Sequence, residues 1–148
     1  MRTFKAAGGK PIAYMGWADE LGLPLATVDY YETPEKMMGD RSATQAFFRL
    51  FMVPGTSYCT GGEGAFAIDY LSYLEAWVER GRAPDVMIGS HVKDYELMGK
   101  AFTQLRLPLD ARLPVRFTRP VCSYPLQAKY KGSGDINDAY HFGPVDVR

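Results

Sequence analysis

The strongest hydrophobic feature of the chain is a nearly continuous apolar run at residues 47–53. An apolar run without regular alternation is typical of a central strand that is covered on both faces. Pro54 and Gly55 end the run, and a loop rich in small residues follows over 56–64. A strand, a polar loop and then a helix is the order that places reactive side chains at the carboxyl end of an open α/β sheet. Candidate chemistry is therefore expected in this loop.

Upstream of the run, the pattern predicts a first strand–helix unit. A short strand is expected over 11–15, and a weak apolar stripe with a 3.6-residue period predicts a helix over 23–32. That helix continues to residue 38 unless Pro34 breaks or restarts it. A polar connector over 39–44 then leads into the apolar run.

Downstream, the clearest amphipathic helix is predicted over 66–80, because apolar residues recur every three to four positions along one face. Gly81 ends this helix, and a short strand is expected over 86–92. The remaining segments are predicted to be less regular: a loop or short helix at 93–111, an extended edge-type segment at 113–120, and a turn-rich surface loop at 130–139.

These elements predict one α/β domain. The chain has 148 residues, of which 47% are apolar and 14% aromatic, which suits a single compact core. A β-α-β order predicts parallel strands joined by a right-handed crossover. We therefore expect a few-stranded, mostly parallel sheet with flanking helices: a β-α-β-α-β core over 1–92, followed by an irregular carboxyl-terminal extension over 93–148.

Charge and hydropathy exclude several classes of partner. Lysine plus arginine and aspartate plus glutamate both number 17, so no basic surplus points to nucleic acid. No apolar stretch approaches the ~18 residues of a membrane span. The first ten residues lack the ~7–15-residue apolar core of a secretory signal, so the sequence as written gives no export address and leaves the localisation undetermined.

Two residues near predicted strand ends are the first candidates for chemistry. Asp19 follows the 11–15 strand and a bend, where the orienting carboxylate of a hydrolase triad would lie. A capping role for the following helix is the alternative, and spacing alone favours it. Tyr58 lies where a general base would be presented, but a phenol with a pKa of about 10 keeps its proton near pH 7. A packed tyrosine with a hydrogen-bonded hydroxyl is the favoured interpretation of Tyr58.

Other nucleophile, base and metal patterns are weak. The only histidines, His91 and His141, have no partner at metal-ligand spacing, and a structural role is favoured for each. The segment 135–138 resembles a calcium loop, but it lacks the bidentate glutamate, and Asx turns explain it better. The nucleophile motif G-x-S-x-G is missing from these 148 residues, and Gly-Ser-Gly at 132–134 lies outside a strand–helix context. We predict no cofactor and no metal.

Several segments resemble the tannase/feruloyl esterase family in the right order along nearly the whole chain. They are Gly-Trp-Ala-Asp at 16–19, Phe-Arg-Leu-Phe-Met-Val-Pro-Gly-Thr-Ser-Tyr-Cys at 48–59, Trp-Val-Glu-Arg-Gly-Arg-Ala-Pro at 77–84, Thr-Arg-Pro-Val-Cys-Ser-Tyr-Pro at 118–125, and Tyr-Lys-Gly-Ser-Gly-Asp-Ile-Asn-Asp-Ala at 130–139. The resemblance implies the carboxyl-terminal part of an α/β-hydrolase core. Family members are typically secreted serine esterases that cleave aromatic esters.

The resemblance also implies roles for individual residues. Asp19 matches the acid of the family's catalytic triad, and Cys59 matches the cysteine of its His-Cys pair. Tyr58 occupies the position of the catalytic histidine. The serine nucleophile, its neighbouring cysteine, the oxyanion hole and the calcium-containing lid correspond to family sequence upstream of Met1. Cys122 resembles half of a different bridge, so we predict that Cys59 and Cys122 are reduced and not joined to each other.

A site without a serine or a histidine retains little catalysis. We therefore expect an inactive, fragment-like pseudoenzyme whose ligand, by resemblance, is an aromatic ester. The alternative is a non-catalytic binding or assembly module. A sheet cut at this point leaves a strand edge that could pair with a second copy or with a complementary chain.

Overall fold

The computed structural model describes residues 1–58, 60–93 and 114–146. In chain order, its elements are α1 (Arg2–Ala6), β1 (Ile12–Gly16), α2 (Pro24–Met38), α3 (Arg41–Gln45), β2 (Arg49–Val53), α4 (Tyr70–Arg80), β3 (Val86–Val92), β4 (Val115–Cys122), β5 (Gln127–Tyr130), a 3₁₀ turn (Ala139–His141) and β6 (Phe142–Val145). Most of the segment predicted as a loop or short helix, 93–111, lies outside the described residues.

A parallel strand pair forms the centre of the fold. Strands β1 and β2 pair in register from Ile12 opposite Arg49 to Gly16 opposite Val53, which confirms the predicted β-α-β unit. Because side chains alternate across a strand, each strand contributes to two apolar layers. One layer packs against α2 and contains Ala13, Met15, Val28, Tyr31, Leu50 and Met52. The other packs against α4, β3 and β4 and contains Ile12, Tyr14, Phe51, Val53, Ile68, Met87 and Val121. The α/β class is therefore confirmed.

The pairing outside this centre is antiparallel. Strand β3 pairs with β4, and β5 pairs with β6, so among the described strands parallel pairing is limited to β1–β2. A bridge between Phe51 and Ser123 ties the end of β4 to the central pair. The described part of the tail is therefore more regular than predicted, since three strands lie in the segment that we expected to be irregular. The turn-rich loop between β5 and the 3₁₀ turn is confirmed. The division into a core and an extension stays a prediction.

Helix α4 begins later than predicted, at Tyr70 instead of residue 66. Ala67 exchanges main-chain hydrogen bonds with Ser90 of β3, which holds the preceding segment extended. Asp69 then caps the helix by accepting a hydrogen bond from the Ser72 N–H at 3.1 Å. A long-range pairing therefore overrides the local apolar pattern.

The helix predicted to break at Pro34 is continuous. Pro34 cannot donate to the carbonyl of Tyr30, but Tyr30 lies on the exposed face, where water can bind that carbonyl. The polar connector after α2 contains the short helix α3. Asp40 caps α3 by accepting a hydrogen bond from the Ser42 N–H at 2.8 Å.

The buried phenol of Tyr31 should make the fold sensitive to alkaline pH. Burial, with a smaller contribution from Glu35, raises the pKa of Tyr31 to about 12. The hydroxyl donates to the Phe48 carbonyl at 3.2 Å. Because the folded-state pKa lies above the unfolded value of about 10, this stabilisation is complete below about pH 10 and is lost as the pH rises towards 12.

We expect the free energy of unfolding to fall by roughly 2 kcal/mol more in the wild type than in Tyr31→Phe across this window. Urea titrations at several alkaline pH values would measure the difference. The exposed Tyr140 provides the control, because Tyr140→Phe should keep the wild-type dependence. An equal fall in Tyr31→Phe and the wild type would contradict the assignment.

Candidate functional site

The carboxyl ends of β1 and β2 bring two loops together. The Trp17 N–H donates to the Val53 carbonyl, and the Ala18 N–H donates to the Thr56 carbonyl, each at 3.0 Å. Gly16 lies against the backbone carbonyls of Thr56 and Ser57 so closely that a side chain at this position would overlap them. The loop that carries Asp19 and the loop that carries Tyr58 are thus neighbours, as parallel strands require.

Asp19 is buried, with 7% of its surface exposed, and its two oxygens have different environments. Oδ1 accepts the N–H groups of Leu21 at 2.9 Å and Gly22 at 2.7 Å. Oδ2 has no hydrogen-bond partner among the described residues. One oxygen is therefore fixed by backbone, while the other remains able to accept a donor. An orienting acid needs this arrangement, because it must hold the N–H of a base in a set direction.

The helix-capping alternative for Asp19 is wrong. Helix α2 begins at Pro24, its N-cap is Leu23, and no side chain caps it. Asp19 instead organises the turn that precedes the helix. Sequence reasoning missed the role of Gly22 in this turn: a side chain at Gly22 would overlap Asp19 Oδ2. The signal was present in the sequence as a glycine three residues after the acid.

Tyr58 lies on the neighbouring loop with 57% of its surface exposed. Nothing in the described part of the chain hydrogen-bonds with its hydroxyl. The prediction of a packed ring is therefore wrong, because the loop turns this side chain outward, whereas the predicted hydrogen bond of the hydroxyl stays a prediction. Cys59 lies outside the described residues.

Both histidines occupy structural positions. His91 Nδ1 lies 2.9 Å from the Gly64 carbonyl oxygen, so this nitrogen carries the proton, and the ring stacks on Phe117 at 4.9 Å. His141 Nε2 lies 4.0 Å from Asp138 Oδ2 at the surface. Neither ring hydrogen-bonds with Asp19 in the part of the chain that the structure describes.

Asx turns explain the acidic loop that resembles a calcium site. Asp135 Oδ1 accepts the Asn137 N–H at 2.8 Å, and Asp138 Oδ1 accepts the Tyr140 N–H at 3.0 Å. Within 1–58, 60–93 and 114–146, no cluster of three or more His, Cys, Asp or Glu side chains could hold a metal. No helix in these ranges is both long enough and apolar enough to cross a membrane.

Cys122 is a free, buried thiol at the end of β4. Burial raises the pKa of this thiol, which disfavours the reactive thiolate. Cys122 lines a cavity of about 340 Å³ together with Trp17, Met52 and Tyr124. Because Cys59 is not described, the prediction that the two cysteines remain reduced and unlinked stays a prediction.

A parallel strand pair with helices α2 and α4 on its two sides, and a buried carboxylate in the loop after the first strand, is the arrangement expected for the carboxyl-terminal part of an α/β-hydrolase core. The sequence model of the family described as tannase and feruloyl esterase matches residues 1–145. The chain therefore belongs to the tannase and feruloyl esterase family.

Individual relatives agree with this assignment. The chain is 39% identical to mono(2-hydroxyethyl) terephthalate hydrolase of Piscinibacter sakaiensis over 142 residues, which cover 96% of this chain and 21% of that protein. It is 35% identical to a probable feruloyl esterase of Arthroderma benhamiae, covering 96% of this chain and 24% of the relative.

Solved structures show the same fold. An esterase from Aspergillus oryzae has a TM-score of 0.81 at 26% identity, covering 97% of this chain and 29% of that chain. Feruloyl esterase B from Aspergillus oryzae has a TM-score of 0.75 at 24% identity, covering 97% of this chain and 28% of that chain. The present chain thus spans less than a third of the length of these proteins.

Proposed function

We propose that this chain is the acid-bearing portion of an aromatic-ester hydrolase and that its 148 residues, taken alone, do not hydrolyse esters. The observation that supports the proposal most directly is the asymmetric environment of Asp19. Its Oδ1 is held by two backbone N–H groups, whereas its buried Oδ2 lacks a donor among the described residues. Such a carboxylate is prepared to orient a base.

The neighbouring loop does not supply that base. Tyr58 stands at the position that the family resemblance gives to the catalytic histidine, and its side chain points outward. A protonated phenol cannot take a proton from a serine hydroxyl near pH 7. Without a base, Asp19 has nothing to orient, and the acid alone contributes no attack on an ester carbonyl.

An esterase assay tests this proposal. The purified chain is incubated with methyl ferulate and methyl gallate, and the released acid is quantified by chromatography. We expect no release above a mock purification, for the wild type and for Asp19→Asn alike. Turnover by the wild type that Asp19→Asn abolishes, with circular dichroism showing both proteins folded, would contradict the proposal.

A second candidate function is assembly through the open edge of β1. Strand β1 pairs with β2 on one side, and no described strand lies on its other side. The main-chain N–H and C=O groups of successive residues in a strand point to opposite sides of the strand. Because the Pro11 C=O and the Trp17 N–H form hydrogen bonds with β2, the N–H and C=O of Ile12 point away from β2. An exposed parallel edge of this kind is a template for another extended strand.

A second copy of the chain is the partner that we propose for this edge in purified protein. The formal net charge is zero, so no overall repulsion opposes association of two copies. Pairing would bury the Ile12 main-chain groups and extend the sheet across the interface. A complementary chain that brings the remaining strands of a hydrolase core would compete for the same edge.

The Ile12→Pro substitution tests the edge. Proline removes the outward N–H without removing a β1–β2 hydrogen bond, whereas Ile12→Val retains that N–H. Sedimentation velocity at micromolar concentration should show dimers for the wild type and Ile12→Val. Ile12→Pro should raise the dissociation constant by about tenfold or more. A folded wild-type monomer at these concentrations would count against assembly through this edge.

A further inference from the structure

A stack of side chains places one guanidinium between two aromatic rings at the β4–β6 side of the molecule. The Arg119 Cζ atom lies 4.6 Å from the centre of the Phe117 ring and 4.7 Å from the centre of the Phe142 ring. His91 stacks on the far face of Phe117 at 4.9 Å, and Tyr130 packs against Phe142 at 5.4 Å. The guanidinium therefore packs against both rings, and its planar N–H edge remains able to bind a further group.

Only one hydrogen bond from this edge is made to a described residue. Arg119 Nη1 donates to the Thr118 carbonyl at 2.7 Å. No described residue accepts a hydrogen bond from the other guanidinium nitrogens, and no described carboxylate lies within ion-pair distance. Asp135 attracts the charge from further away, but its Oδ1 is already bonded to the Asn137 N–H. The guanidinium is thus a fixed cation that lacks a direct counter-ion in the described part of the chain.

Partial burial makes this lack of a direct counter-ion slightly unfavourable. Desolvation lowers the pKa of Arg119, although a guanidinium remains charged at neutral pH. A charge that has lost part of its water without gaining an opposite charge is unfavourable. A carboxylate that accepts two parallel N–H bonds from such an edge would offset the cost and would be bound with a defined orientation.

The same residues line a cavity of about 410 Å³. Its lining includes Phe117, Arg119 and Phe142 together with Gly55 and Ala65 from the segment that follows β2. This volume falls within the range of small-molecule pockets, which are mostly apolar with a few oriented polar groups. The walls suit a flat apolar ring, and the guanidinium suits an acid group attached to it.

We propose that this cavity binds an aromatic monocarboxylate, with the ring against the apolar residues of the lining, such as Pro54, Pro120 and Val121, and the carboxylate on the free edge of Arg119. The site is separate from Asp19 and Tyr58 and involves no catalysis. Both ends of the loop that carries Tyr58 line the cavity through Gly55 and Gly64, so a bound ligand would stabilise that loop against β4.

The proposal can be tested by titrating the wild-type chain with three probes and monitoring binding by two-dimensional NMR. Benzoate carries both ring and charge, benzyl alcohol carries the ring alone, and inorganic phosphate carries charge without a ring. We expect saturable binding of benzoate with a dissociation constant on the order of 1 mM, and binding of either other probe at least about tenfold weaker. Phosphate or benzyl alcohol binding as tightly as benzoate would overturn the proposal.

Variants separate ligand recognition from structural support. Arg119→Lys keeps the cation but loses the two-pronged edge, and it should weaken benzoate binding by at least about tenfold. Because Arg119 also joins β4 to β6, its substitution could disturb the fold. A second pair of variants therefore leaves Arg119 and its neighbouring rings unchanged. Ala128→Trp on β5 fills the mouth of the cavity and should abolish binding, whereas Lys129→Trp on the adjacent exposed position should not. Unchanged benzoate affinity in a folded Ala128→Trp protein would refute the site.

Discussion

Replacing Gly16 with alanine is expected to lower the free energy of unfolding by about 3 kcal/mol. The reason is steric: a Cβ atom at this position would overlap the backbone carbonyl oxygens of Thr56 and Ser57. Backbone atoms cannot move aside as the end of a flexible side chain can. The substitution would push apart the two loops that carry Asp19 and Tyr58. Urea unfolding followed by circular dichroism would measure the loss.

Gly143→Ala is the matched control for this substitution. The nearest heavy atom to a Cβ at Gly143 is the Lys131 Cε at 3.7 Å, an ordinary van der Waals contact. We expect a change within about 0.5 kcal/mol. If Gly16→Ala were as mild as Gly143→Ala, the close approach of the two site loops would be disproved.

Truncation of Phe51 to alanine should destabilise the chain by about 3–5 kcal/mol. Phe51 is fully buried, and its ring packs between the central strand pair and the layer formed by α4, β3 and β4. Removing the ring forfeits apolar burial and leaves a cavity that close-packed neighbours cannot fill. Thermal and urea unfolding would both report the change.

A loss of this size approaches the whole stability of a small domain, so Phe51→Leu provides a milder test. That variant should lose roughly 1–2 kcal/mol and remain folded. The exposed Tyr140 provides the surface control, with Tyr140→Ala expected to change stability by less than about 0.5 kcal/mol. A decrease in the free energy of unfolding of less than about 1 kcal/mol for Phe51→Ala would show that α4, β3 and β4 do not pack tightly against Phe51.

Local patterns in the sequence were sufficient for the central unit of the fold. The apolar run became β2, the short upstream strand became β1, and their parallel pairing follows from the helix between them. The positions of Asp19 and Tyr58 in neighbouring loops also follow from this order. The family resemblance then assigned both residues the places of a triad acid and a triad base.

Features that depend on distant residues were not accessible in the same way. The late start of α4 depends on the pairing of Ala67 with Ser90. The continuity of α2 at Pro34 depends on which face of that helix meets water. The outward position of Tyr58 depends on the path of its loop, which cannot be predicted from the spacing of hydrophobic residues.

The sequence by itself determined the order of the main elements from β1 to β3, the central parallel pair and the side chains available at its carboxyl end, because these follow from short-range periodicity and turn chemistry. Only the tertiary structure decided which oxygen of Asp19 is fixed, how β3 finds β4, and why Arg119 lies between the rings of Phe117 and Phe142. The physical reason is that the β3–β4 pairing and the Arg119–Phe142 contact join segments far apart in the chain, while the turn at Asp19 is local but has a geometry that hydrophobic periodicity does not reveal.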